Sequence, residues 1–366
     1  MKTKPLAILA AGGTGGHMFP AQALAEELIS RGWEVKLSTD FRGARFTQNF
    51  PAPVKIETVS SATFAKDGLI SKIKAPLLIL GGIFSTIKTF RNNRPLIVIG
   101  FGGYPTIPAL TASILTRLPR IIHEQNGVLG KVNQLFARKA HLVACGTWPT
   151  IMPENIKSEY IGNPVRREVL CRSNSPYIPP GNHPMSIFIM GGSQGATILS
   201  KIVPEAICTL PDKFLRYIRV IQQAREEDCK RVKSYYVQKG IKCEVLPFFN
   251  NVASYLSEAQ LIISRSGASS VADIGVVGRP SILVPLGSAL RDEQTLNAYP
   301  LKKIRAATVI DEQKLTVKRL NKAIIKILSS PENANKMAAN AHKTVILDAT
   351  NKLADRVEQI SGYNIR

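Results

Sequence analysis

Two turns of the sequence carry the side chains best suited to proton transfer. His17 ends the glycine-rich segment GGTGGH at 12–17, and imidazole is the side chain that most readily takes up a proton near neutral pH. In the segment HEQNG at 123–127, Glu124 lies among other polar side chains directly after an apolar run. A single histidine in a turn is often purely structural, and HEQNG lacks the second histidine of a zinc-binding HExxH sequence. His17 is therefore a candidate proton acceptor, and no zinc site is predicted.

Glycine-rich segments recur after apolar runs and before helical patterns, at 12–16, 190–196 and 265–270. Glycine lets backbone N–H groups approach an anion, and the start of the following helix adds positive potential, so these segments predict phosphate-binding turns. The first segment fits neither the dinucleotide-binding GxGxxG pattern nor a P-loop, and its alternative is an ordinary tight turn. We expect the first helix to start near Pro20. Asp273 lies in the first turns of a later helix. It is expected either to accept hydrogen bonds from ribose hydroxyl groups or merely to stabilise the start of this helix by its negative charge.

Short apolar runs bounded by glycine alternate with amphipathic stretches along the chain. The runs lie at 6–10, 34–39, 96–100, 120–124 and 141–146, and again at 186–192, 217–223, 242–248, 260–267 and 280–285. This alternation predicts βαβ units with buried parallel strands, in two similar doubly wound halves. The proline-rich stretch at 171–184 is interpreted as the connection between the halves, and residues 317–365 as closing helices.

Composition excludes several classes of protein. The chain has 366 residues, 45% of them hydrophobic, which is too apolar for a disordered protein and long enough for two domains. Its five cysteines are odd in number and form no CxxC pair, so we expect neither a disulfide framework nor a structural zinc site. The N-terminal apolar run is too short for a signal peptide, and no run approaches the roughly 18 residues of a membrane-spanning helix. The protein is predicted to be soluble or bound to a membrane surface.

The charge is strongly positive, with 48 lysines and arginines against 26 acidic residues and a formal net charge of +22. A chain of this kind suits nucleic acid, an anionic membrane surface or a phosphorylated substrate as partner. Nucleic acid is the least favoured partner, because the basic residues are dispersed along the chain and aromatic residues make up only 7% of it.

Seven segments taken together resemble the MurG family of peptidoglycan glycosyltransferases. In order along 12–298 they are GGTGGH, GGYPTIPAL, HEQNG, GNPVR, GGSQGA, RSGA and DEQTLNA. The resemblance implies transfer of N-acetylglucosamine from UDP-N-acetylglucosamine to an undecaprenyl-pyrophosphoryl muramyl-pentapeptide, the step from lipid I to lipid II. It also implies a GT-B fold, an α/β architecture of two Rossmann-like doubly wound domains facing a cleft. The expected parts are an acceptor-binding and membrane-associating domain at 1–165, a UDP-sugar-binding domain at 166–345, and a C-terminal helix at 346–366 that returns to the first domain.

The same resemblance implies which residues hold the donor. In the first half these are Thr14, Gly15, Gly16, Asn126 and Arg166. In the second half they are Ser193, Phe249 beside the uracil, Ala268, Ser269, Ser270, Val271, Ala272 and Asp273 for phosphate and ribose, and Gln294 facing the sugar. The chain departs from the family pattern at Asp273, where glutamate is usual, and in the segment GSALRDE before Gln294.

Transfer from a UDP-sugar needs a stabilised diphosphate leaving group and a base for the acceptor hydroxyl. Glycine-rich helix starts and Arg166 could stabilise the diphosphate without a metal ion. No two aspartates are spaced i and i+2, so a metal-binding DxD motif is absent, and neither a metal nor another cofactor is predicted. For the base, His17 is the first candidate and Glu124 the second. Attack of the muramyl 4-hydroxyl opposite the departing UDP would invert the sugar from α to β.

A lipid-linked acceptor requires contact with a bilayer, and the segment at 66–94 has a suitable composition. Six basic residues against one acidic residue give it a net charge of +5. Apolar residues at roughly helical spacing among these charges predict an interfacial helix. They are Leu77, Leu80, Phe84, Ile87 and Phe90. The alternative is a helix that covers the core and has a solvated basic edge. The resemblance favours the first interpretation, with the protein peripheral on the cytoplasmic face of the bacterial plasma membrane and bound to its anionic surface.

Other functions remain as alternatives. The nearest are another GT-B enzyme that uses a nucleotide sugar, such as a glycolipid synthase, and a UDP-N-acetylglucosamine 2-epimerase, which releases no glycosylated lipid. A nucleic-acid-binding protein is disfavoured by the dispersed basic residues, and a nicotinamide oxidoreductase by the missing GxGxxG pattern.

Overall fold

The structure is a computed structural model that describes residues 4–59, 69–192, 196–287 and 292–363, with side chains described outside 69–78. The chain divides into two compact units, Met1–Arg166 together with Ile346–Arg366, and Arg167–Val345. Each unit is a parallel sheet with covering helices, which confirms the predicted doubly wound α/β fold.

The first unit contains a seven-stranded parallel sheet in the order β3-β2-β1-β4-β5-β6-β7. Its strands are β1 (Leu6–Ala11), β2 (Glu34–Thr39), β3 (Lys55–Thr58), β4 (Ile97–Gly102), β5 (Arg120–Glu124), β6 (Leu142–Cys145) and β7 (Ser158–Tyr160). Its first four helices are α1 (Gly15–Ser30), α2 (Leu69–Asn92), α3 (Thr106–Leu115) and α4 (Lys131–Ala137), and a 3₁₀ turn spans Gly43–Asn49. The strand order reverses between β1 and β4, which is where open α/β sheets bind ligands.

The second unit contains a six-stranded parallel sheet in the order β10-β9-β8-β11-β12-β13. It begins with the helix α5 (Arg167–Leu170), the strand β8 (Met185–Met190) and the helices α6 (Thr197–Cys208) and α7 (Asp212–Leu215). The chain continues through β9 (Ile218–Gln223), α8 (Glu226–Gln238), β10 (Lys242–Leu246), α9 (Val252–Glu258), β11 (Ala259–Ser264), α10 (Ala268–Val277), β12 (Ser281–Leu283), α11 (Glu293–Lys303), β13 (Ala307–Val309), α12 (Val317–Leu328) and α13 (Pro331–His342). Here the order reverses between β8 and β11.

The last helix, α14 (Ala349–Ser361), belongs to the first unit and not to the second, which precedes it in the chain. Leu353, Ala354 and Val357 are fully buried in the cluster that also contains side chains of β1 and α1. At its surface, the Arg356 guanidinium donates to both carboxylate oxygens of Glu159 at 2.7 Å. The expected return of a C-terminal helix to the first half of the chain is confirmed.

Helix α1 begins at Gly15, so the expected start near Pro20 is wrong. Thr14 has the extended backbone of an N-cap residue, with φ −138° and ψ 160°, and its carbonyl accepts from the N–H groups of His17 and Met18. Pro20 therefore lies inside the helix, where it removes one backbone hydrogen bond but keeps a helical φ angle. The early start places His17 in the first turn of α1.

The stretch at 171–184 is not the connection between the two units, because the division falls between residues 166 and 167. It packs on the second unit through backbone carbonyl groups and through the side chain of Tyr177. Arg279, which is 1% exposed, donates to the carbonyl groups of Ser175 and Pro176, and the Tyr177 hydroxyl donates to the Gln260 carbonyl at 2.9 Å. The proline-rich composition marks irregular structure here, not a linker.

Candidate active site

The first glycine-rich turn leads from β1 into α1 and is held by a buried carboxylate. Asp40, at the end of β2, accepts from the N–H of Gly13 at 3.0 Å and from the N–H of Gly43 at 2.9 Å. Gly13 has a φ of +86°, a backbone conformation that side chains with a Cβ atom disfavour. The turn is therefore fixed in shape before any ligand is bound.

His17 is held in one tautomer by this turn. Its Nδ1 lies 2.9 Å from the Gly12 carbonyl oxygen, and because a carbonyl only accepts, Nδ1 must carry the proton. The neutral ring then keeps its lone pair on Nε2. A Cβ atom at Gly102 would lie 3.1 Å from this Nε2 and 3.3 Å from Nδ2 of Asn133. Glycine at 102 thus leaves space beside the nitrogen that can accept a proton.

Glu124, at the end of β5, already uses both carboxylate oxygens. Oε1 accepts from the backbone N–H and the side-chain amide of Asn126, at 3.1 and 2.9 Å. Oε2 accepts from the Gly130 N–H at 2.7 Å and from the Asn133 amide at 2.8 Å. With 1% of its surface exposed, Glu124 fixes the loop that leads into α4. This environment favours His17 over Glu124 as the proton acceptor.

A buried network lies behind Glu124. His123 Nε2 donates to the Gly162 carbonyl, and its Nδ1 accepts from the Gln125 amide at 3.1 Å. Complete burial lowers the pKa of His123 to about 4, so its ring is neutral at physiological pH. The amide oxygens of Gln125, Asn133 and Asn163 have no hydrogen-bond partner among the residues that the structure describes. Such enclosed acceptors are suited to ligand hydroxyls or ordered water.

The other predicted contacts of the first unit lie near the start of α1 and at the end of β5. Thr14 caps this helix, and Gly15 and Gly16 form its first turn. The Arg166 guanidinium lies over the ring of Phe19, one turn further along α1, with its central carbon 4.3 Å from the ring centroid. The Asn126 amide bonds Glu124 at the end of β5. The first unit thus brings a cation and several donors to the carboxyl edge of its sheet.

In the second unit, the glycine-rich turn after β8 is described as far as residue 192. The Gly191 N–H donates to the Gln223 side chain at 3.1 Å, and Gly192 has a φ of +79°. Ser193, the predicted donor contact in this turn, lies outside the described residues.

The turn after β11 leads into α10, whose N-cap is Gly267 and whose first turn contains Ala268, Ser269 and Ser270. A Cβ atom at Gly267 would meet no atom within 4 Å. The hydroxyl groups of Ser266 and Ser269 are enclosed and have no hydrogen-bond partner in the part of the chain that the structure describes. A helix start with open space and unused hydroxyls is suited to phosphate oxygens.

The remaining predicted donor contacts follow in α10 and α11. Val271, Ala272 and Asp273 continue α10, and Asp273 is buried in its second turn, not its first. Gln294, in the first turn of α11, accepts from the Leu286 N–H at 3.0 Å through its side-chain oxygen. Its amide nitrogen, which can only donate, takes no part in this bond.

Phe249 lies in an aromatic cluster of the second unit and is 5% exposed. Its ring centroid lies 5.8 Å from that of Phe188 and 5.1 Å from that of Tyr255. A ring enclosed in this way has no open face, so only the backbone of Phe249 is available to a bound uracil.

Sequence reasoning missed two residues that shape the site, Asp40 and Asn133. Both were detectable in principle, because Asp40 directly follows the apolar run that forms β2, and polar residues at the ends of parallel strands meet at one edge of the sheet. Asn133 lies in the first turn of α4, six residues after HEQNG, but only the fold brings it next to His17. Within the described residues, no group of three potential metal ligands is found.

Helix α2 presents two different faces within its described side chains, 79–92. Phe90 is 3% exposed and packs in the core with Ile87, so assigning both residues to the interfacial face was wrong. Leu80 and Phe84 are 50% and 71% exposed, and Lys88 is exposed on the next turn. Because residues four apart share a helix face, the exposed strip is narrower than the sequence predicted.

Lys66 and the side chains of Lys72, Lys74 and Leu77 lie outside the described part. Among the described helices, none is long and apolar enough to cross a bilayer.

Comparison with known proteins gives matches over nearly the whole chain. The model of the glycosyltransferase family 28 N-terminal domain matches residues 7–145, and that of the C-terminal domain matches residues 186–360. A relative from Caulobacter vibrioides (strain NA1000 / CB15N) is 42% identical over 358 residues, which cover 97% of this chain and 98% of the relative. It is named UDP-N-acetylglucosamine--N-acetylmuramyl-(pentapeptide) pyrophosphoryl-undecaprenol N-acetylglucosamine transferase.

Two further comparisons agree. A protein of the same name from Allorhizobium ampelinum (strain ATCC BAA-846 / DSM 112012 / S4) is 41% identical over 366 residues, covering 100% of this chain and 98% of its own. The crystal structure of Acinetobacter baumannii MurG superposes with a TM-score of 0.76 at 27% identity, covering 98% of this chain and 100% of that one. The chain therefore belongs to glycosyltransferase family 28 and, within it, to the MurG family.

Proposed function

We propose that the protein transfers N-acetylglucosamine from UDP-N-acetylglucosamine to the 4-hydroxyl of an undecaprenyl-pyrophosphoryl muramyl-pentapeptide. Relatives that share 42% of its residues are named for this transfer. The observation that carries the proposal is the state of His17: Nδ1 donates to the Gly12 carbonyl, and Nε2 keeps the lone pair that a general base requires.

In this mechanism the acceptor hydroxyl oxygen bonds to C1 of the sugar while the bond from C1 to the diphosphate oxygen breaks, and that electron pair leaves with UDP. Nε2 of His17 takes the hydroxyl proton, and the ring becomes an imidazolium whose Nδ1–H still donates to Gly12. Attack opposite the leaving group converts the α-linked sugar into a β-linked product. Glu124 acts by holding the loop at the end of β5 and not as the base.

The donor is assigned mainly to the second unit. The start of α10 offers positive potential and the unused hydroxyl groups of Ser266 and Ser269 to the diphosphate. Asp273 accepts from the ribose, the backbone of Phe249 lies beside the uracil, and the Gln294 amide faces the sugar. Ser193, which lies outside the described residues, is the further donor contact that the resemblance implies.

The first unit adds Thr14, Gly15 and Gly16 at the start of α1, with Asn126 and Arg166 beside it. These groups supply N–H donors and one cation to developing negative charge on the leaving group, a role that requires no metal ion.

The proposal includes peripheral binding to an anionic membrane surface through α2. Exposed Leu80 and Phe84 supply apolar contact, and Lys88 and Arg91 supply positive charge close to it. No contact with nucleic acid is part of the proposal.

The direct test is a transfer assay with pure protein, UDP-N-acetylglucosamine labelled in the sugar, and a polyprenyl-linked muramyl-pentapeptide acceptor. We expect label in the lipid phase and one UDP released for each sugar transferred. A 2-epimerase would instead convert the donor without acceptor and leave the lipid phase unlabelled, and a different glycolipid synthase would label another lipid and leave this acceptor unchanged. Either of those results, or no transfer by protein that binds UDP, contradicts the proposal.

A further inference from the structure

One peptide group joins His17 to a buried carboxylate. The carbonyl of the Gly12–Gly13 peptide accepts from Nδ1 of His17 at 2.9 Å. The N–H of the same peptide group donates to Oδ1 of Asp40 at 3.0 Å. Asp40 and His17 are therefore at the two ends of a chain of two hydrogen bonds that passes through a single amide.

Hydrogen bonds connected through one amide strengthen each other, because a carboxylate on the N–H side increases the negative charge on the carbonyl oxygen. A more negative carbonyl oxygen binds an imidazolium Nδ1–H more strongly than a neutral one. Asp40 is fully buried, so solvent screens its charge less than that of a surface carboxylate.

We propose that Asp40 is a positioning residue that acts on His17 through the Gly12–Gly13 peptide, fixing the ring and increasing the affinity of Nε2 for a proton. For its part in catalysis, this inference rests on the proposed function, in which Nε2 takes the proton of the acceptor hydroxyl. The proton-affinity effect itself requires no substrate.

The surrounding backbone keeps this arrangement rigid. A Cβ atom at Gly12 would lie 2.5 Å from Cγ of Pro105 and 2.9 Å from Oδ1 of Asp40. Gly13 has the positive φ that turns its N–H toward Asp40, and the Gly43 N–H holds the same carboxylate oxygen from the other side. The peptide cannot rotate without breaking both of its hydrogen bonds.

One neighbouring charge opposes the effect of Asp40. Nε of Arg42 donates to Oδ2 of Asp40 at 3.2 Å, and the Arg42 side chain is 38% exposed. The other charged or titratable groups on the elements packed around this turn include Arg166 over Phe19 of α1, Arg45 in the 3₁₀ turn, Tyr104 after β4, and Glu124, Lys131 and His123 at β5 and α4. Charged residues of α14 bond Arg31, at the far end of α1. Asp40 and Arg42 are therefore the pair to vary.

The test is a histidine NMR titration of the full chain without substrates. The protein carries isotope-labelled histidine, and the signal of His17 is identified by its loss in His17→Gln. We expect Asp40→Asn to move the His17 titration to lower pH, because a negative charge acting across the peptide group is lost. We expect Arg42→Gln to move it to higher pH, because the opposing charge is removed.

The opposite signs separate the proposal from a merely structural role, which would disturb the ring in the same direction in both variants. Unchanged titration in Arg42→Gln, or a shift of both variants in one direction, overturns the proposal. If Asp40→Asn does not fold, the Arg42→Gln result decides alone, since this side chain is partly exposed. In the transfer assay, the acid side of the pH profile of kcat should move to lower pH in Asp40→Asn and to higher pH in Arg42→Gln. Correct NMR shifts without any transfer activity would contradict the proposed function and leave the Asp40 inference standing.

Discussion

At the scale of single residues, what a polar group already bonds decides what it can do next. Glu124 accepts four hydrogen bonds and is buried, so taking a proton would break bonds that hold its loop. His17 makes one bond that fixes its tautomer and leaves Nε2 beside the space at Gly102. His17 ends a glycine-rich segment and Glu124 ends an apolar run, and only these contacts separate a base from a structural carboxylate.

Replacing His17 tests the role of the base directly. We expect His17→Ala to lower kcat by about 10² or more with little change in donor KM, because general-base catalysis typically contributes this much. Steady-state transfer kinetics measure both constants, and His183→Gln, in the second unit, is the matched control. A kcat near that of the unchanged protein would remove His17 from the role.

His123 makes the stability of the first unit depend on pH. Its pKa is about 4 in the folded protein because of burial, against an ordinary value of 6.5, so the unfolded chain binds more protons between these values. Stability is therefore expected to fall as pH drops from about 6.5 to 4, by up to about 1.4 kcal/mol per pH unit.

Denaturant unfolding followed by tryptophan fluorescence at pH 7 and pH 5 measures this dependence, since Trp33 and Trp148 both lie in the first unit. We expect His123→Gln to reduce the difference in unfolding free energy between pH 7 and pH 5 more than His141→Gln does, because His141 is less buried. Equal slopes in the unchanged protein and His123→Gln would show that His123 is not the group responsible.

At the scale of secondary structure elements, the ends of helices determine where anions bind. Helix α10 starts at Ala268, with three residues between it and the end of the strand β11, at the reversal of strand order in the second sheet. Helix α1 starts in the same way after β1 in the first sheet. Helix starts of this kind lie in two of the three glycine-rich segments, those at 12–16 and 265–270.

The unused hydroxyl of Ser269 predicts a loss of affinity without a loss of stability. We expect Ser269→Ala to weaken UDP binding about tenfold, the effect of one hydrogen bond to a charged group, while the unfolding midpoint stays the same. Calorimetric titration with UDP measures the affinity. Ser281→Ala is the matched control, because that hydroxyl is also buried without a described partner but lies in β12. Equal effects of the two substitutions would contradict a phosphate site at α10.

Helix α2 predicts binding to anionic membranes. We expect the double variant Lys88→Gln with Arg91→Gln to bind phosphatidylglycerol vesicles about thirty-fold more weakly, since each basic residue near such a surface contributes about 1 kcal/mol. Binding to neutral phosphatidylcholine vesicles should not change. The control is Lys318→Gln with Arg319→Gln, two exposed residues on α12. An equal loss in both variants would indicate a general effect of charge and not a membrane-binding helix.

At the scale of the whole molecule, the chain closes its first unit with its last helix. Leu353 and Val357 of α14 are fully buried in the core that β1 begins. The first unit is therefore incomplete until the second has been synthesised. The net charge of +22 is spread over both units, and most of the basic residues lie outside α2 and away from Arg166.

Replacing Leu353 tests this closure. We expect Leu353→Ala to destabilise the first unit by about 2–5 kcal/mol, the usual cost of such a cavity. Tryptophan fluorescence reports it, since Trp33 packs against Tyr363 just beyond α14 at 5.3 Å between ring centroids. Lys352→Ala, at an exposed position of the same helix, should leave the midpoint almost unchanged. A normal midpoint in Leu353→Ala would mean that α14 contributes little to the first unit.

The sequence by itself determined the fold class, the positions of ten of the thirteen described strands and the glycine-rich turns, because buried parallel strands require continuous apolar runs and tight turns require glycine. It missed the edge strands β3, β7 and β13, which are short. The runs at 34–39 and 120–124 match β2 and β5 in both bounds. Local pattern misplaced the start of α1 and the stretch at 171–184, since proline and glycine mark a break without showing what the backbone packs against.

Only the tertiary structure decided which polar groups already have partners. Asp40 and His17 are 23 positions apart in sequence, yet one peptide group connects them. Phe90 and Phe84 look alike in the helical pattern, and packing on the sheet buries one and exposes the other. Hydrogen-bond partners and burial depend on residues that are distant in sequence, so no local pattern contains them.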